Sequence, residues 1–403
     1  MSEWKEIEFS KILIDESISY GIVQPGAHTE INSIPIIRVN NIKNGYIQTE
    51  DVLKVEAAIE DKYKRTRLNG GELLITVVGS IGECAIVPEN LKGWNVARAV
   101  SVAKIKREYD IRFIKYAFQT DDLIFQMYGN TNDTVQPTLN LSSLKALKFS
   151  IPPLTEQQSI ASILSSLDDK IDLLHRQNAT LEKMAETLFR QWFVERCPEP
   201  VEGEAKEGWE EVKITDLFEV RDGTHDSPKQ KEFGRKLITS KHLSKHSIDF
   251  ESAYFISEED FDQINKRSKV DTGDILFSMI GTIGIIYLEQ SNEIDYVIKN
   301  IGLFKTSQNP LWMYFTVLWL KSDFGNEFIY ENRSGSTQEY ISLGSLRSIH
   351  FSIPSLEKVE EFNKEIEPLF QKIKSNQIQI RTFAALRDTL LPKLMSGEVR
   401  VNN

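Results

Sequence analysis

Ser150-Ile151-Pro152-Pro153-Leu154-Thr155-Glu156-Gln157-Gln158 opens the run whose reading decides the fold. Behind it, Ile160, Leu164, Leu167, Ile171, Leu174, Asn178, Leu181, Ala185, Leu188 and Trp192 follow at alternating steps of four and three. That is the a/d seam of a heptad repeat. Its 3.5-residue period favours a helix packed on another helix, because a helix lying on a globular core drifts toward 3.6. Thr155 followed by Gln158 reads as an N-terminal capping box. The partner helix is in the same chain. Ser150-Ile151-Pro152-Pro153-Leu154 returns as Ser352-Ile353-Pro354-Ser355-Leu356. The seam returns 202 residues later as Phe362, Ile366, Leu369, Ile373, Asn376, Ile380, Phe383, Arg387, Leu390 and Leu394. Pro392 is expected to end the regular helix there.

The echo extends beyond the helices. Trp4-Lys5-Glu6-Ile7 is answered by Trp209-Glu210-Glu211-Val212, and Gly71-Glu72-Leu73-Leu74 by Gly273-Asp274-Ile275-Leu276. Gly79-Ser80-Ile81-Gly82 returns as Gly281-Thr282-Ile283-Gly284, and Thr134-Val135-Gln136 as Ser336-Thr337-Gln338. From Gly71 onward the offset holds at 202. A period that long excludes a solenoid of short repeats and means two copies of a whole module. The expected fold is mixed α/β (α+β). A first module covers 1–153, a helix 154–196, a Pro-, Glu- and Gly-rich linker 197–208, a second module 209–355, a second helix 356–394 and a tail 395–403. If the helices form an antiparallel coiled coil, pairing Ile160 with Leu394 brings Asn178 opposite Asn376. A matched amide pair satisfies itself and rejects slipped alignments, so these two residues are expected to fix the register. About 40 helical residues measure roughly 60 Å. Such a pair would be a rigid spacer with a module at each end and a pseudo-twofold axis, a geometry suited to two DNA half-sites.

The 403 residues carry a formal charge of -11, which weighs against a nucleic-acid binder, since phosphate contacts need Lys and Arg. Part of the acid is local: Glu199, Glu202, Glu204, Glu207, Glu210 and Glu211 stand against Lys206 alone. A local basic stripe suffices for DNA, and partners can add grip. No window approaches the ~18 unbroken apolar residues of a membrane span. No apolar leader follows Met1, and Cys84 and Cys197 are far apart, so the chain reads as cytoplasmic, without a disulfide or a membrane partner. No Gly-x-x-x-x-Gly-Lys-Ser/Thr loop and no Gly-x-Gly turn is present, which removes the usual ATP and dinucleotide cradles. Asn309-Pro310-Leu311-Trp312 lacks the second proline of an amino-methyltransferase motif and reads as a turn before a helix. His28, His175, His225, His242, His246 and His350 form no zincin pattern, and no metal is expected.

With duplication and heptads in hand, a family is identifiable. The Ile151-Pro152-Pro153-Leu154-Thr155-Glu156-Gln157-Gln158 run ahead of a long helix resembles the conserved region of specificity subunits of Type I restriction-modification systems. Leu390-Leu391-Pro392-Lys393-Leu394-Met395-Ser396-Gly397-Glu398-Val399 resembles the C-terminal signature of that family. Gly273-Asp274-Ile275-Leu276 and Gly335-Ser336-Thr337-Gln338 resemble segments of its target-recognition domains. The order of recognition domain and helix, repeated, matches over essentially the whole chain. The resemblance implies that each recognition domain reads one half of an asymmetric, bipartite double-stranded DNA sequence. It also implies that the helices set the unread spacer and dock two methyltransferase subunits that methylate adenine, with restriction/translocase subunits completing the complex. This chain would then be non-catalytic and hold no cofactor; S-adenosylmethionine, ATP and Mg would belong to its partners. Pro354-Ser355 and Glu357-Lys358-Val359 depart from the pattern of the first copy, which bears on docking at the second helix. A stand-alone methyltransferase or nuclease is disfavoured by the missing cofactor loops. A coiled-coil adaptor that joins proteins without reading DNA is the alternative.

Base readout needs side chains with paired donors and acceptors. Two stretches at matching places have that character and follow apolar strand-like runs. They are Arg38-Val39-Asn40-Asn41-Ile42-Lys43-Asn44 and Thr239-Ser240-Lys241-His242-Leu243-Ser244-Lys245. The expected readers are Arg38, Asn40, Asn41, Lys43, Asn44, Thr239, Ser240, Lys241, His242 and Lys245. Residues shared by both copies are expected to hold phosphate, which carries no sequence information. These are Lys64, Arg65, Arg67, Ser80 and Gln136 in the first copy, and Lys266, Arg267, Lys269, Thr282 and Gln338 in the second. Gly79-Ser80-Ile81-Gly82 and its copy read both as tight hairpin turns and as backbone clamps for phosphate.

Overall fold

The computed structural model describes residues 4–129, 137–195, 209–244, 247–335 and 338–401. The chain divides into two compact units, Met1–Ile171 with Thr382–Asn403, and Asp172–Arg381.

In the first unit the two ends of the module are zipped together. Lys5–Glu8 pairs antiparallel with Lys148–Ile151, so the Trp4 segment and the Ile151-Pro152 segment are neighbours. From there the chain enters the first long helix, Leu154–Arg190. The main sheet is antiparallel, in the order Leu13–Tyr20, Val100–Ile105, Leu73–Thr76, Cys84–Ile86. All of Leu73–Thr76 is buried, as expected of a strand covered on both faces. Successive side chains alternate between those faces. Leu73 and Ile75 join a cluster with Phe9, Phe118 and Phe149, while Leu74 joins one with Ile37, Val87 and Val96. A second, mixed sheet runs Leu53–Glu56, Ser33–Ile37, Asn95–Val96, the last pair parallel.

The second unit repeats this topology. Glu210–Lys213 pairs with His350–Ile353. The main sheet runs Val220–Asp222, Ile301–Phe304, Ile275–Ser278, Ile286–Leu288. The mixed sheet runs Phe255–Ile256, Arg235–Thr239, Tyr296–Lys299. Asn309 precedes a 3-10 turn, Pro310–Trp312, that leads into the helix Met313–Lys321.

The second long helix is Leu356–Met395, and it packs on the first. Every residue of both heptad seams is buried or half-buried. Contacts within each unit run in opposite directions along the two helices. In the first unit Arg400 meets Glu156 and Arg387 meets Asp168; in the second, Asn376 meets Asn178 and Trp192 meets Glu365. The pairing is therefore antiparallel.

Two local expectations are corrected. The helix does not end at Pro392; it runs through Pro368 and Pro392 to Met395. Both prolines lie on the exposed face, and the carbonyl each one frees belongs to an exposed residue, Lys364 or Asp388, while the opposite face stays packed. The chain turns instead at Gly397 (φ 73°), with its N–H on Leu394 O at 3.3 Å. The Thr155–Gln158 box is absent, because the helix begins at Leu154. Gln157, almost fully buried, donates to Pro152 O at 2.8 Å and accepts from the Asp110 N–H at 2.9 Å. The linker 197–208 lies outside the described residues. Among the described residues no helix is long and apolar enough to cross a membrane.

Candidate nucleic-acid interface

The parallel strand pair in each unit fixes where its polar residues emerge. Ile37 stands opposite Val96, so the chain leaves both strands at the same end. There the Ala97 N–H bonds Ile37 O at 2.9 Å and the Arg98 N–H bonds Ile22 O at 2.8 Å. Gly21 lets the backbones cross: a Cβ at that position would lie 2.0 Å from Val96 O. The Val77 N–H bonds Ala99 O and the Leu139 N–H bonds Val77 O, both at 2.9 Å. Arg38, Val23, Arg98 and the 79–82 turn are thereby gathered at one place. The second unit is built the same way. Thr239 stands opposite Lys299, Ser240 Oγ donates to Asn300 O at 3.0 Å, and the Asn300 N–H bonds Thr224 O at 3.2 Å. A Cβ on Gly223 would lie 2.4 Å from Ile298 O.

The expected readers divide into exposed and committed residues. Asn40, Lys43, Asn44 and Lys241 are exposed, and Thr239 and Ser240 half-buried. Asn44 (φ 52°) and Gly45 (φ 81°) form the two-residue turn between Ile42–Lys43 and Tyr46–Ile47. Arg38 is half-buried, with its guanidinium on Asp51 O at 3.1 Å. Asn41 and His242 are corrected, because each is only 3% and 1% exposed and closes a 3-10 turn. Asn41 Oδ1 accepts from the Arg38 N–H and His242 Nδ1 from the Thr239 N–H, both at 2.9 Å. Burial lowers the pKa of His242. Neither side chain has an edge to offer a base. Lys245 lies outside the described residues, as does Gln136.

The basic runs divide likewise. Lys64 and Arg65 are exposed, the first beside Asp61 at 2.7 Å, the second donating to Ser19 Oγ at 3.1 Å. Arg67 is corrected: it forks onto the buried Glu60, with Nε at 2.8 Å from Oε1 and a terminal amine on Oε2. That hydrogen-bonded guanidinium holds the Glu60 carboxyl below its usual range. In the second unit Lys266 donates to Gln263, Arg267 pairs with the buried Asp222 and Lys269 sits 2.8 Å from Asp271, all three exposed. Ser80 and Thr282 are exposed in matching turns whose glycines (79, 82, 281, 284) have φ of 77°, 90°, 78° and 86°. The turn is tied from inside, by Thr76 Oγ1 on Ser80 O and by Ser278 Oγ on Thr282 O. Gln338 is exposed beside the second turn, since Tyr340 bridges Ile280. A cavity of about 380 Å³ in this unit is lined by Arg221, Arg267 and Arg347 together with Glu219 and Asp222.

Between the helices, Asn376 Nδ2 donates to Asn178 Oδ1 at 2.8 Å. A second polar contact was not foreseen. The buried Asp168 accepts from Tyr116 Oη at 2.6 Å and from Arg387 at 3.0 Å, which accounts for an arginine in an apolar seam. Burial and the hydrogen-bonded carboxylate raise the pKa of Tyr116. Sequence reasoning also missed Arg98, His225 and Asn300.

The profile of the family described as Type I restriction modification DNA specificity domain matches residues 20–183 and again 206–382. The chain belongs to that family. Carrying the domain twice, it is a non-catalytic specificity subunit of a Type I system, with two target-recognition domains. It is similar to the Type I restriction enzyme MjaIX specificity subunit of Methanocaldococcus jannaschii, 27% identical over 354 residues that cover 82% of this chain and 78% of the relative. The MjaVIII specificity subunit of the same organism is 22% identical over 391 residues, covering 92% and 90%. In fold it resembles the S subunit of a Type I restriction-modification system from M. genitalium, with a TM-score of 0.52 at 15% identity over 97% of this chain and 96% of that one.

Proposed function

We propose that each unit reads one half of an asymmetric, bipartite double-stranded DNA target. The paired long helices set the unread spacer and dock two methyltransferase subunits, and restriction/translocase subunits complete the assembly. One observation carries this reading: the same strand-end scaffold occurs twice and bears different polar side chains each time. Contacts that differ between two copies suit base edges, whereas shared ones suit phosphate. The readers are Arg38, Asn40, Lys43 and Asn44 in the first unit, and Thr239, Ser240 and Lys241 in the second. Lys64, Arg65, Ser80, Lys266, Arg267, Lys269, Thr282 and Gln338 hold the backbone. Asn178 and Asn376 fix the helix register. A net charge of -11 leaves part of the phosphate grip to the methyltransferase subunits, which also bring S-adenosylmethionine; ATP and Mg belong to the restriction subunits. The complex works where the DNA is, in the cytoplasm.

The test is selection from random-sequence duplex by the complex reconstituted with its methyltransferase subunits. Two short blocks with a constant gap are expected, and exchanging residues 209–355 for those of a relative should change one block only. An intact complex that enriches no sequence would favour the adaptor reading instead.

A further inference from the structure

We propose that Arg98 in the first unit, and Asn300 held by His225 in the second, are base-reading residues that occupy one and the same backbone position. The inference rests on the reading above and adds residues to it.

The match is structural. Gly21 and Gly223 make the same close approach to the neighbouring strand, on Val96 O and Ile298 O. The next residues form the same parallel bridge, Ile22 with Ala97 and Thr224 with Lys299. The following N–H groups, of Arg98 and Asn300, bond the carbonyls of Ile22 and Thr224. Around this shared frame the side chains diverge: Val23 against His225, and Arg98 against Asn300. The position adjoins both the strand end that carries Arg38 or Ser240 and the strand that leads into the glycine turn.

The chemistry differs in kind. Arg98 is exposed, and its guanidinium makes no hydrogen bond or ion pair among the described residues, whereas Arg38, Arg65 and Arg67 are each engaged. A free planar fork suits the O6 and N7 of guanine. Asn300 sits in the left-handed region (φ 53°), where asparagine is tolerated. Its Oδ1 lies 2.8 Å from His225 Nδ1, and His225 Nε2 lies 2.9 Å from the buried Asp222. Whichever of the two polar side-chain atoms of Asn300 faces His225 Nδ1, the contact fixes the plane of the amide and leaves at least one N–H and one lone pair for the N7 and N6 edge of adenine.

The experiment uses the full chain in complex with its methyltransferase subunits and a panel of duplexes in which each target base pair is varied in turn. Arg98→Ala should lower discrimination at one G·C pair of one half-site by about 10–100-fold. It should leave the salt dependence and the other half-site unchanged. Arg98→Gln should move the preference at that pair from guanine toward adenine, an outcome that misfolding cannot produce. Asn300→Ala should relax a single A·T pair in the other half-site. Equal weakening on every sequence with a shallower salt slope would make these phosphate contacts and overturn the inference, as would unchanged preference at every pair. If the unsubstituted complex shows no bipartite preference, the proposed function fails; if it shows one that the variants leave intact, this inference alone fails.

Discussion

Replacing Asn178 and Asn376 together by leucine should stabilise the unit Asp172–Arg381. The two amides are only 2% and 0% exposed. One hydrogen bond of 2.8 Å joins them, and a further contact from Asn376 Nδ2 to Gln177 is long at 3.4 Å. Asn178 Nδ2 and Asn376 Oδ1 find no partner among the described residues. Two of the pair's four polar atoms thus have a partner and two do not. An unmet buried polar group costs about 1–3 kcal/mol, while the bond itself contributes about 1 kcal/mol net. At about 1.5 kcal/mol for each unmet group, removing both amides relieves about 3 kcal/mol and loses a bond worth about 1 kcal/mol, a gain of about 2 kcal/mol before the added apolar burial. For a unit of roughly 200 residues that corresponds to a rise in Tm of roughly 4–8 °C. Asn178→Leu alone does the reverse: it strands Asn376 Nδ2 while removing the unmet Asn178 Nδ2, so two unmet groups remain and the bond is lost, a cost of about 1 kcal/mol before the added apolar burial. Urea denaturation of wild type, both single variants and the double variant closes the cycle. A double variant less stable than wild type, or equal to the sum of the singles, would refute the reasoning. If a structure of the double variant kept the register unchanged, the amide pair would not be what specifies it.

Asp168→Ala strands the Tyr116 hydroxyl and leaves Arg387 with Asp388 alone; an unmet buried polar group costs about 1–3 kcal/mol, so a change of the size seen at free surface sites in urea melts would contradict the role given to Asp168. Arg65→Gln should weaken binding to all DNA alike and reduce the salt slope by about one, whereas Arg67→Gln should lower stability by leaving the buried Glu60 with the Asn95 amide and no guanidinium; binding titrations and melts of the two variants would expose a reversal. The folded-state pKa of Glu60 is depressed, so its contribution is present above the unfolded value of about 4.3 and is lost as pH falls through the folded value; Glu60→Gln should therefore be less stable at neutral pH and lose less stability on acidification, and parallel pH profiles for the two proteins would count against this. Gly21→Ala and Gly223→Ala each drive a Cβ to within 2.4 Å or less of a backbone oxygen and should cost at least about 1–3 kcal/mol; an unaltered Tm for either would show that the crossing is looser than described.

What the sequence discloses is what is periodic or repeated. The heptad seams and the 202-residue echo lead directly to the antiparallel helix pair and to two modules of one topology, because apolar spacing is a local signal of burial. Polar residues in loops carry no such signal. Asn41 and His242 look like readers in a polar stretch, yet each side chain turns inward to close its own 3-10 turn. Arg67 looks like Arg65 until the fold brings the buried Glu60 under it. Arg387 stands out as a charge in an apolar seam, but its partner Asp168 lies one position off the opposite seam, out of reach of a strict pattern. Arg98 and Asn300 follow strands too short to show alternation, and the glycines at 21 and 223, which reveal the match, matter only through the carbonyls they approach.

The central claim is that two different reading units on one chain specify one split DNA sequence. Its most direct test is a map of adenine methylation across the host genome, with this chain present and with it deleted. A single motif of two unlike blocks at constant separation should vanish on deletion and return when the chain is restored. A methylation pattern indifferent to the chain, or the loss of one unbroken motif, would contradict it.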